Sequence, residues 1–158
     1  MYDTLKWLHI LSSVLMVGTG FGSAFYMFMT NRSRNLQAQY VVSKLLVKAD
    51  WWFTTPAVIF QPLSGIALAH LAGWPLNAPW LLWTYALYVI SALCWVPVVW
   101  MQIKMHNLLH TAVTEKTELP KVYWRYARYW EMLGYPAFVA MLVVYWLMVV
   151  KPDLQLPF

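Results

Sequence analysis

Apolar positions fall in long unbroken runs. Trp7 to Asn31 carries no Asp, Glu, Lys or Arg; neither does Trp51 to Ile103, nor Met132 to Val150. A helix needs roughly 20 apolar residues to cross about 30 Å of hydrocarbon. The first and third runs each fit one crossing. The middle run is long enough for two, and Gly73-Trp74-Pro75-Leu76-Asn77-Ala78-Pro79 breaks it with turn-forming residues. The pattern predicts four transmembrane helices, near 7–30, 51–72, 80–103 and 130–150. The runs are continuous rather than alternating, so helices are expected and a membrane β-barrel is not. The expected class is all-α: a polytopic membrane protein, one domain over residues 1–158, with four helices in an antiparallel bundle. The first run is too long for the apolar part of a signal peptide and is read as retained.

The connections refine this picture. Residues 31–50 place Leu36, Tyr40, Leu45 and Val47 among polar neighbours, which predicts a helical piece on or extending from the membrane face. Its length would let the first two spans stand diagonally. The short break at 73–79 makes the second and third spans antiparallel neighbours. Leu119-Pro120 interrupts the last connection, and Tyr123 to Trp130 reads as an extension of the fourth helix. Prolines at 56, 62, 97 and 136 are expected to bend their helices.

Composition agrees. The chain is 61% hydrophobic and 11% charged, against about 45–50% and about 25% in soluble domains. A single cysteine, Cys94, excludes a disulfide scaffold. The net charge of +5 would suit nucleic acid, but its placement argues otherwise. Nine of the eleven basic residues lie in the 31–50 connection or beyond the third span; only Lys6 and Lys151 lie at the other end. The positive-inside rule makes the basic face cytoplasmic and puts both termini outside. Nucleic acid is therefore not an expected partner. Tryptophans near both ends of the spans predict two aromatic belts, with Trp95 deeper.

Four histidines are the main candidates for chemistry. His9 and His70 fall near the outer ends of antiparallel spans, so topology puts them at similar depth. Ser13, Met16 and Gly20 continue the His9 stripe at helical spacing, and Gly18 and Gly22 form a small stripe beside it. An imidazole with small neighbours is what a haem standing between helices requires. The candidate iron ligands are His9 and His70, with Ser13 and Gly20 beside the ring. The competing reading is histidines that simply snorkel to the interface. His106 and His110 read as solvated interface residues. Gln61, between two prolines, is expected to satisfy freed carbonyls. Asp50 and Glu131 read as an interfacial ion-pair cluster, Glu131 pairing with Arg128 three residues away. In the functional version, Arg125 and Arg128 anchor propionates or a quinone headgroup.

Several segments carry a resemblance. Lys6-Trp7-Leu8-His9-Ile10, Ala49-Asp50-Trp51-Trp52-Phe53-Thr54-Thr55-Pro56, Leu68-Ala69-His70-Leu71-Ala72-Gly73-Trp74-Pro75 and Val149-Val150-Lys151-Pro152 resemble a bacterial family of predicted integral membrane proteins, domain of unknown function 2269. More distantly, His9, Thr55-Pro56, Arg128 with Glu131 and Pro136, and Lys151-Pro152 are similar to HemJ-type protoporphyrinogen oxidases. The chain departs from that pattern at Trp83-Thr84, where those proteins carry a basic residue. The distant resemblance implies haem b, electron transfer and porphyrin or quinone redox chemistry in a bacterial inner membrane. Beyond the lipid bilayer, the partners in view are a second copy of the chain, a membrane redox partner or a quinone. The rival readings are a non-catalytic membrane subunit or assembly factor without cofactor, and, last, a small transporter.

Overall fold

A computed structural model describes residues 1–152. The last six residues, and with them the expected outward end of the chain, lie outside the described residues. Five α-helices follow in order: α1 Tyr2–Ser33, α2 Leu36–Ala49, α3 Thr55–Leu71, α4 Pro79–Glu115 and α5 Lys121–Val150. No strand occurs among the described residues. Four helical stretches are long and apolar enough to cross a membrane, the second being Leu36–Leu71 taken as one.

α2 and α3 are joined by a π-helical turn over Asp50–Thr54. Pro56 explains part of this. It has no N–H for the carbonyl of Trp52, so the regular ladder is already broken there, and the Thr55 N–H reaches back to the Asp50 carbonyl instead. The wider turn buries Asp50 and Thr54 and leaves Trp51, Trp52 and Phe53 exposed. At the far end, Gly73 takes a positive φ of 73° and closes α3 before the turn into α4.

The spans form two pairs. α1 packs along α3, and α4 packs along α5. The first two spans are thus side by side, not diagonal. The polar groups of α3 draw α1 onto it: Gln61 Nε2 donates to the His9 carbonyl at 2.7 Å, and His9 Nδ1 lies 2.7 Å from Ser64 Oγ. α3 and α4, expected as antiparallel neighbours across the short turn, do not pack along each other, because α3 is taken by α1 and α4 by α5; one bond ties them at mid-depth. Pro62 cannot donate to the carbonyl of Val58, four residues earlier. The hydroxyl of Tyr88 on α4 donates to that carbonyl at 2.6 Å. Gln61, expected to serve freed carbonyls on its own helix, serves α1.

The best-packed core lies at the basic end. Met27, Leu46, Met101, Met105, Leu109 and Tyr123 are buried together there. α4 has 37 residues, about 55 Å at 1.5 Å per residue, so it runs well past a bilayer. α2 packs on that extension. Ser43 Oγ lies 3.0 Å from His106 Nδ1, and the Tyr40 and His106 rings stack at 5.6 Å. His106 is therefore a docking residue between helices, not a solvated one; His110 is exposed. Asn31 Oδ1 accepts from Gln39 at 3.1 Å and from Tyr123 at 2.6 Å, joining α1, α2 and α5. A smaller cluster of Ala69, Ala78, Trp80, Leu81 and Leu147 closes the other end.

Two expectations about packing are corrected. Trp80 and Trp130, assigned to the aromatic belts, are buried in these end clusters, whereas Trp7, Trp51, Trp52, Trp100 and Trp146 are exposed as a belt requires. A Cβ placed on Gly18 or Gly22 would meet nothing within 4 Å, so no helix among the described residues packs on that stripe. The close approach occurs at Gly65, where a Cβ would lie 3.3 Å from His9 Cε1.

Candidate functional site

Between the two helix pairs, and between the two end clusters, lies a cavity of about 530 Å³. That size falls in the usual range for small-molecule sites, about 300–1,000 Å³. Its walls come from α1, the π turn, α3, α4 and α5, and they are mainly aromatic and aliphatic; Phe21, Tyr88, Trp95, Trp130 and Phe138 contribute rings. Phe21 and Phe138 stack at 5.0 Å and close the gap between α1 and α5. Phe25 and Tyr135 also line the cavity while remaining 51% and 64% exposed, so it opens sideways toward the bilayer.

The hydroxyls of Ser23, Tyr88 and Ser91 line the cavity further along, and its two carboxyls gather at the basic end. Asp50 and Thr54 reach the cavity from the π turn, Gln102 from α4, and Trp130 and Glu131 from α5. Asp50 is only 4% exposed. With the Gln102 amide nitrogen toward the carboxyl, the orientation that satisfies both of its ends, Gln102 donates to Asp50 Oδ2 at 2.6 Å and accepts from Trp130 Nε1 at 3.2 Å. Thr54 Oγ1 lies beside the carboxyl. That places the hydroxyl within reach to donate to Asp50.

The residues predicted from sequence are dispersed. Gly20 lines the cavity. Ser13 does not; its hydroxyl donates to the Ile10 carbonyl at 2.7 Å, and its own carbonyl accepts from Tyr145 at 3.1 Å. Arg128 is exposed and lies off the lining, while Glu131, its expected partner, is on it. His9 is half-buried against α3, and His70 is exposed. Five residues separate His70 from Gly65, which turns it about 140° around the helix from the glycine beneath His9. The two histidines do not share a face.

The His9 contact favours one tautomer. Ser64 Oγ has one proton, and it donates to the Phe60 carbonyl at 2.7 Å. Toward His9 the oxygen is therefore an acceptor, so Nδ1 carries the ring proton. Nε2 is left with the lone pair, which is how ligand histidines are commonly held. Among the described residues no group of three or more His, Cys, Asp or Glu could hold a metal ion.

Sequence reasoning singled out Asp50 and Glu131 but read them as an ion-pair cluster, and it missed Thr54 and Gln102. Thr54 had a signal: it stands four residues after Asp50 and directly before Thr55-Pro56. Gln102 had none, since only the approach of α4 to the π turn makes it a partner of Asp50.

A family model described as predicted integral membrane protein (DUF2269) matches residues 3–152. No curated protein and no solved structure matches the chain.

Proposed function

The chain belongs to the DUF2269 family of predicted integral membrane proteins, and from that premise we propose that it is a membrane-embedded binding protein for a small lipid-soluble molecule. The ligand's apolar body lies among the rings of the cavity, and its polar end meets Asp50, Thr54 and Gln102. One observation carries this reading: a cavity of about 530 Å³ has on its wall a buried carboxyl, Asp50, with only the neutral Thr54 and Gln102 beside it. The clustering of nine basic residues supports a reading in which that polar end faces the cytoplasm. The test is native mass spectrometry of the full chain released from detergent. The wild type is expected to carry a small-molecule adduct. Gly134→Phe, which projects a ring into the cavity from a glycine with open space around it, is expected to lose it. An adduct that survives Gly134→Phe overturns the assignment.

A second reading is haem b on His9, with electron transfer as its chemistry. It is supported by the tautomer that Ser64 favours, which leaves Nε2 free to ligate iron. The protein from haem-replete cells would then show a Soret band that disappears in His9→Ala. A colourless preparation removes this reading and leaves the cavity untouched.

A further inference from the structure

The sign of the cavity narrows its ligand. No Lys, Arg or His lines it, although the chain has eleven Lys and Arg and four His, whereas Asp50 and Glu131 both do. A carboxylate buried without a cation is expensive, and a partner of opposite charge offsets that expense. The aromatic walls act in the same direction, because ring faces carry negative electrostatic potential and attract cations. The groups beside Asp50, Gln102 and Thr54, are both neutral and leave its charge unmatched. The carboxyls and the ring faces both repel an anionic group, so a propionate-bearing ring has no favourable place here.

We propose that the cavity takes a lipophilic organic cation, an amine or onium compound whose charge is met by Asp50, with Glu131 as a second carboxyl and the rings around its apolar body. This rests on the cavity being a ligand site and adds the charge class. Two probes of nearly identical shape and opposite sign test it: tetraphenylphosphonium and tetraphenylborate, titrated into the full chain in an uncharged detergent with tryptophan fluorescence as the readout. A neutral probe, N-phenylnaphthylamine, reports on the cavity itself.

Tetraphenylphosphonium is expected to bind saturably, about tenfold or more tighter than tetraphenylborate. Asp50→Asn is expected to weaken it by about tenfold, the scale of one charge-assisted contact, while N-phenylnaphthylamine still binds. Should Asp50→Asn fail to fold, Glu131→Gln and the comparison of the two ions on the wild type decide the matter; loss of the preference for the cation in Glu131→Gln supports the proposal. Equal binding of both ions, or binding of N-phenylnaphthylamine without tetraphenylphosphonium, overturns the charge inference and leaves the cavity reading standing. If neither the neutral nor the cationic probe binds, the cavity reading fails with it.

Discussion

Single hydroxyls do much of the joining in this protein. Pro62 removes the donor for the Val58 carbonyl, and Tyr88 replaces it at 2.6 Å from a different helix. Tyr88→Phe leaves that carbonyl without its donor at mid-depth. The expected loss of stability is about 1–3 kcal/mol. In a Pro62→Ala background the helix supplies its own N–H, and the same substitution is expected to be smaller in effect; a double-mutant cycle of thermal midpoints in detergent reads the difference. Proline kinks were legible in the sequence, but the residue that answers the kink was not, because it lies 30 positions away. His106 offers a pH test outside the spans. Burial lowers its pKa first, and the charges of His110 and Lys44 lower it further. Ser43 donates to the Tyr40 carbonyl, so its oxygen accepts from His106 Nδ1. The folded state thus holds fewer protons than the unfolded one below about pH 6.5, and stability rises with pH. The thermal midpoint is expected to fall as pH drops from about 6.5 toward the lower folded midpoint. His106→Gln is expected to flatten that dependence.

At the scale of elements, absence of charge located the membrane helices, because a charged side chain within hydrocarbon is costly enough to be excluded almost everywhere. Where the chain leaves the bilayer that constraint ends, and the sequence became harder to read. The amphipathic stretch 36–49 carries apolar residues at helical spacing, as a surface-lying helix would. Its partner is instead the long extension of α4, through Leu46 against Met105 and Leu109 and through Tyr40 on His106. The pattern shows an apolar face; only the partner's position shows what covers it. Leu109 is fully buried in this contact. Leu109→Ala is expected to destabilise the protein by about 2–5 kcal/mol, seen as a lower thermal midpoint and faster hydrogen exchange in α2. An unchanged midpoint would mean that α2 lies on the bilayer after all.

Taken whole, the molecule is two helix pairs clamped at both ends and open between. The end clusters hold the pairs together, and the cavity occupies the middle, with its acidic floor supplied by the π turn. The four spans and the clustering of basic residues were legible in the sequence, and so were Asp50 and Glu131 as a pair of carboxyls at one face, though as an ion-pair cluster. The sequence led the candidate site toward His9 and His70, because topology alone puts both at one depth. Depth does not fix the face of a helix, and the 140° or so between His70 and Gly65 separates them. The space between the pairs is, on this reading, a ligand site rather than loose packing. Energy transfer from Trp95 and Trp130, both on its wall, to N-phenylnaphthylamine tests this most directly, in full-length protein reconstituted into uncharged lipid. Saturable transfer is predicted for the wild type and for Gly18→Phe, which points an equal ring from an exposed glycine off the cavity, and its loss is predicted for Gly134→Phe. Transfer that rises without saturation, equally in all three proteins, would contradict the claim.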